Sequence, residues 1–140
     1  MDQQKRIDLI EHIKEIGSPD PSGVPLVTIE EFFEGNDDLG SIGCNLLEHP
    51  GLEFFYEQLK AIRDRENVSN VLVGIYEVEE SDETMWPFAE TVFVTTSEEL
   101  QNVVEWFAPL EPDSVEVEMI QAKNLPEIPD GHAIYVAWWD

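Results

Sequence analysis

The chain has 140 residues, 42% of them hydrophobic, and sets 31 Asp and Glu against 7 Lys and Arg for a formal net charge of −24. That length and apolar content suffice for a core without disulfide staples, and argue against disorder despite the charge. The charge argues against nucleic acid and anionic membranes as partners and favours a basic protein surface.

Ile7, Ile10 and Ile13 recur at three-residue steps, with Leu9 and Ile16 nearby. This predicts an amphipathic first helix, with Asp8, Glu11, Lys14 and Glu15 on its wet sides. Gly17 ends it, and residues 18–25 form a loop of Pro, Gly and Ser. Leu26 and Val27, after Pro25, suggest a short edge strand. Thr28 then opens a helix, where Thr28 and Glu31 form a capping box and Ile29, Phe32 and Phe33 anchor it. Gly35-Asn36 stops it.

Pro50 suits a first helical position. Leu52, Phe55, Tyr56, Leu59 and Ile62 follow as an apolar stripe, and Lys60, Arg63 and Arg65 suit the negative end of that helix. Val68 to Val78 is β-branched and apolar, which predicts a central strand. Residues 79–85 are an acidic turn. Pro87 breaks the pattern, and Thr91 to Val94 resumes as a strand. Thr95 or Thr96 is the expected cap of the next helix, whose Leu100, Val103, Val104 and Phe107 form one apolar face. Val115, Val117 and Met119 alternate with Glu116, Glu118 and Ile120 as a half-exposed strand. Ala133 to Trp138 is a final strand, placed either at an edge, where it would permit a strand-to-strand homodimer, or in the centre.

This element order predicts an α+β fold in a single domain, residues 1–140: one mostly antiparallel sheet of four to five strands, with helices packed on one face. The step from the 91–94 strand to the 115–119 strand contains a crossover helix and could join parallel neighbours. Cys44 is the only cysteine, which fits a reducing compartment. No signal peptide or membrane span is visible, so a cytoplasmic location is expected.

Motifs for catalysis are missing. Gly40-Ser41-Ile42-Gly43 lacks the lysine of a phosphate loop, and Asp37 and Asp38 would repel a phosphate. Cys44 and His49 resemble a nucleophile and base, but acidic surroundings oppose a thiolate, and Cys44 beside Ile42 and Leu46 reads as buried filler. The histidines have no zinc spacing. No catalytic, cofactor-binding or metal-binding residue is assigned, and no cofactor is expected. Binding is favoured over catalysis. The alternative is a metal-binding protein or enzyme using the acidic 34–46 loop, where Glu34, Asn36, Asp37 and Asp38 could offer oxygens to a hard cation.

Two segments carry a resemblance. Phe32–Leu46 (FFEGNDDLGSIGCNL) and Trp86–Val94 (WPFAETVFV) resemble a group of small uncharacterised acidic bacterial proteins. In size, charge and aromatic content the chain is also similar to bacterial immunity proteins, small acidic domains that block the active site of a toxin, often a basic nuclease. That likeness implies a non-catalytic binder of a basic partner. The candidate surface is Glu77, Glu79, Glu80, Asp82, Glu83 and Trp86, with Glu34, Asp37 and Asp38 as a second patch. An exposed Trp86 ringed by carboxylates would anchor a cationic side chain.

Overall fold

A computed structural model describes residues 1–117 and 120–140. The fold is α+β: a five-stranded antiparallel sheet with four helices packed against it. In chain order these are α1 (Gln3–Ile16), β1 (Leu26–Thr28), α2 (Ile29–Phe33), α3 (Leu52–Arg63), β2 (Val68–Glu77), β3 (Phe88–Thr96), α4 (Leu100–Phe107), β4 (Ser114–Val117) and β5 (Ala133–Trp138). Glu118 and Met119, expected to continue β4, lie outside the described residues.

The strands lie in the order β1-β2-β3-β5-β4. β3 and β4 run in the same direction, but β5 sits between them and is antiparallel to both. The crossover through α4 therefore does not join neighbouring strands. β5 is interior, so an edge-to-edge dimer through it is ruled out, and the edges are β1 and β4.

Alternation along each strand builds two apolar layers. Val27, Val71, Val73, Ile75, Val92, Val94, Tyr135 and Ala137 face the helices and meet Leu9, Ile13, Phe32, Phe55, Leu59, Ile62, Val103 and Phe107. The opposite face carries Leu26, Phe93, Ile134 and Val136, covered in part by Val24, Ile120, Ala122 and Leu125. Gly74 lies on this second face. A Cβ there would fall 2.3 Å from the Thr91 Oγ1, so only glycine fits that close approach.

The helices follow local signals with some corrections. The capping box of α2 forms as expected: Thr28 Oγ1 accepts from the Glu31 N–H at 3.1 Å, and the Thr28 N–H donates to Glu31 Oε1 at 3.0 Å. Gly35 follows with φ 83°, and its carbonyl accepts the Asp2 N–H. Pro50 precedes α3 instead of opening it, because Gly51 is the residue at its N-cap. Neither Thr95 nor Thr96 caps α4. Both belong to β3, and the N-cap is Glu99. Thr96 Oγ1 instead donates to the Asn67 carbonyl and accepts from the Glu98 N–H. Val103 and Phe107 of α4 are buried, whereas Leu100 and Val104 are exposed. In α1 the buried face is Arg6, Leu9, Ile10 and Ile13, and Ile7 is exposed.

Candidate functional site

The two acidic patches meet at the first turns of α1. Asp2 caps the helix by accepting the Lys5 N–H at 3.1 Å. The Met1 amino group donates to Asp37 at 2.8 Å. Asp38 Oδ1 accepts the Gly40 N–H and starts a 3-10 turn, Leu39–Ser41, while its Oδ2 accepts the Trp86 N–H at 3.1 Å. That last bond ties the 34–41 segment to the acidic loop between β2 and β3. Gln3 reaches the same loop through the Glu83 carbonyl, and Lys14 through the Glu80 carboxylate.

Arg6 organises the loop. It is 97% buried, and its guanidinium donates to the carbonyls of Glu79, Glu80, Asp82 and Met85 at 2.8–3.2 Å. Nη2 serves the Glu79, Glu80 and Asp82 carbonyls and Nε the Met85 carbonyl, so two nitrogens of the rigid guanidinium fix four points of the loop. The loop carbonyls thus turn inward, and the Glu77, Glu79, Glu80, Asp82 and Glu83 residues stay exposed. Thr84 donates to Asp82 from its hydroxyl and its N–H, and these bonds hold the Asp82 carboxyl below its usual range. Four converging carbonyls are the type of cage a hard cation uses. Here the Arg6 guanidinium stands at its centre.

Trp86 corrects the sequence reading. It is only 1% exposed, and its ring belongs to the main core. A buried indole cannot anchor a partner's side chain, so of Trp86 only the backbone N–H bears on the patch. Its Nε1 has no hydrogen-bond partner among the described residues. Trp139 is buried as well, and Trp138 is half-buried.

The polar groups of the 34–46 loop are engaged by partners within the protein. Glu34 pairs with Lys5 at 3.8 Å and accepts from the Tyr56 hydroxyl at 3.3 Å. Asn36 serves the Asp38 N–H, the Ser41 hydroxyl and the Phe32 carbonyl. Among the described residues no group of three or more His, Cys, Asp or Glu is placed to hold a metal ion. Cys44 is exposed, contrary to the expectation of a buried filler. His49 turns away from it: Nε2 meets the Ile42 carbonyl at 2.8 Å and Nδ1 accepts the Gly51 N–H at 2.9 Å, which fixes the neutral tautomer. No nucleophile–base pair forms there.

Every cation has an internal partner. Lys5, Lys14, Lys60, Arg63 and Lys123 pair with Glu34, Glu80, Glu57, Glu30 and Asp20. Arg65 lies over the Trp106 ring at 4.4 Å, and Arg6 is enclosed by carbonyls. The surplus of carboxylates is thus left to the surface.

Residues 4–137 match the family described as "Uncharacterized protein YfbO family". The chain belongs to the YfbO family. It is 33% identical over 133 residues to the Uncharacterized protein YfbO of Escherichia coli (strain K12), covering 90% of this chain and 89% of that protein. The family match takes in both acidic patches, Arg6 and β5 as far as Ala137. No solved structure matches the chain. Among the described residues no helix is long and apolar enough to cross a membrane.

One feature escaped sequence reasoning: a groove of about 200 Å³ beside β4, lined by Ser114, Glu116, Val117, Ile120, Val136 and Trp138. Trp138 Nε1 donates to Glu90 at 3.3 Å. Burial pushes the Glu90 carboxyl up, which its bond to Trp138 opposes and the nearby Asp140 reinforces. The alternation of β5 signals that Trp138 shares a face with Ile134 and Val136, but nothing in the sequence says that β4 borders it.

Proposed function

We propose that this chain is a non-catalytic binding protein for a basic macromolecular surface, of the kind that neutralises a nuclease toxin by covering its positive groove. One observation carries the reading. Arg6 draws in the carbonyls of the 79–85 loop and leaves Glu77, Glu79, Glu80, Asp82 and Glu83 at the surface, with Glu34, Asp37 and Asp38 tied to the same end of α1. The acidic display is thereby preorganised, which lowers the ordering cost on binding. With all seven basic side chains engaged by partners within the chain, little unpaired positive charge remains to deflect a basic partner. A nuclease groove cradles phosphates with Lys and Arg, and a carboxylate surface can occupy it. Opposite fields raise association rates toward about 10⁸–10⁹ M⁻¹s⁻¹ at low salt.

The test is a kinetic binding measurement against basic nucleases from the same organism, with neutral proteins of equal size as controls. Saturable one-to-one binding is expected, with an association rate that falls as salt rises and falls again in the combined Glu77→Gln, Glu79→Gln, Glu83→Gln variant. Binding that is absent at low salt, or that never saturates, overturns the reading.

A further inference from the structure

The two edges of the sheet are treated differently. At β1 the outer edge is sealed: Asn124 accepts the Leu26 N–H at 2.8 Å and donates to the Leu26 carbonyl at 2.9 Å. Val24, just before it, is bracketed by the Gln121 carbonyl and the Lys123 N–H. At β4 no strand pairs with the outer side among the described residues. A four-residue strand bearing Glu116 is ordinary edge protection. What goes further is Val117, 58% exposed on the helix side of this edge, and on the other side an apolar groove with a half-buried indole as one wall.

We infer that the outer edge of β4 and the Trp138 groove receive an extended basic segment of a partner protein, which adds as a strand while a Lys or Arg side chain lies over the Trp138 ring beside Glu116. Strand addition takes affinity from main-chain hydrogen bonds and specificity from pockets for alternate side chains. Trp faces attract cations, and Glu116 supplies the opposite charge within the groove. Asp113 and Asp140 lie at the same end, where Asp113 accepts the Asp140 N–H. A second copy of this chain is a poor occupant. Edge-to-edge pairing would bring two Glu116 side chains and two chains of net charge −24 together. This inference deepens the proposed function and rests on it for the sign of the partner.

The experiment uses the full chain and two labelled peptides of identical charge. One alternates Val with Lys and Arg, and the other carries a proline at each alternate position and cannot pair as a strand. The alternating peptide is expected to bind saturably and about 10-fold or more tightly than the proline peptide, and Trp138→Ala to lose about 10-fold or more. Because Trp138→Ala also removes packing, Val117→Lys at the exposed edge serves as a second variant, with weakening expected and an unchanged melting temperature. Equal binding of both peptides, unaffected by either variant, overturns the inference while leaving the basic-partner reading standing. Failure of both peptides at low salt removes both. A concentration-dependent dimer abolished by Val117→Lys assigns the edge to a second copy and overturns the inference.

Discussion

Trp139 Nε1 donates to the Leu110 carbonyl at 2.8 Å, and both side chains are fully buried. The indole meets Phe55 and Phe107 edge-on, with ring centroids 5.5 and 6.2 Å away. It therefore joins α3, α4 and the turn after α4 to the sheet. Trp139→Ala is expected to cost about 3–5 kcal/mol, as for other large aromatic truncations. Trp139→Phe keeps much of the apolar volume but strands the Leu110 carbonyl, at about 1–3 kcal/mol. Urea denaturation of the three proteins would check the order, and a Phe variant as stable as the parent contradicts it.

Arg6 offers a sharper substitution. Lysine keeps the charge but has carbon in place of Nε, the donor to Met85, and its ammonium ends one bond short of Nη2, which holds the Glu79, Glu80 and Asp82 carbonyls. Arg6→Lys is expected to lose at least about 1.5–3 kcal/mol, the range for one charge-assisted hydrogen bond. The loss should concentrate in the loop. Hydrogen exchange at residues 79–85 should accelerate more than in β3, and uniform acceleration would refute the local account.

Gly74 faces Thr91 across the β2–β3 pair. Gly74→Ala places a methyl in contact with the Thr91 hydroxyl and should cost about 1–3 kcal/mol, as overpacking does. Adding Thr91→Ala removes the obstacle, so the double variant should recover part of the loss. Strict additivity of the two changes in a denaturation cycle would count against the contact.

The pH dependence has two limbs. Burial raises the Glu90 carboxyl in the folded state, so on acidification the folded protein takes up this proton before the unfolded chain does. Stability attributable to Glu90 therefore rises as pH falls through its raised folded value, and is absent at neutral pH. Glu30 goes the other way: burial pushes it up, but the Arg63 hydrogen bond and charge outweigh this and hold it low. Its contribution is present above the ordinary carboxylate range and is lost as pH falls below it. Glu90→Gln is expected to raise the neutral-pH midpoint and to remove the first limb while leaving the second. An unchanged profile between neutral pH and the carboxylate range would exclude this role for Glu90.

Salt should stabilise the protein. The ion pairs that salt weakens are mostly exposed and worth little each. Repulsion within a net charge of −24 is the larger quantity, and screening shortens its reach to about 8–10 Å near physiological ionic strength. The denaturation midpoint is expected to rise from low to moderate salt. A constant or falling midpoint would show that the ion pairs dominate.

Much of the fold was legible because local patterns repeat over whole elements. The stripe Leu52–Ile62, the capping box at Thr28 and the β-branched run from Val68 each point to one structure. The failures share a cause, which is that the deciding partner lies far along the chain. Arg6 is buried because acceptors more than 70 residues away converge on it. Ile7 is displaced to the surface by the same choice of face. Leu100 and Val104 fit a helical stripe but stay exposed, since α4 docks through Val103 and Phe107. Trp86 follows an acidic run, yet its ring enters the core while the run stays outside. The placement of β5 depends on pairing order, which no local pattern encodes.

The location of β5 bears on how the chain acquires its shape during synthesis. β3 and β4 both precede in the chain the strand that joins them. Until residues 133–138 are available, β3 has an unfilled flank and β4 has no neighbour to pair with. Domains whose strands pair over long sequence separations fold slowly and expose such flanks for longer. The fifth strand in sequence is thus the one that closes the sheet, since β3 and β4 each pair with it along one flank.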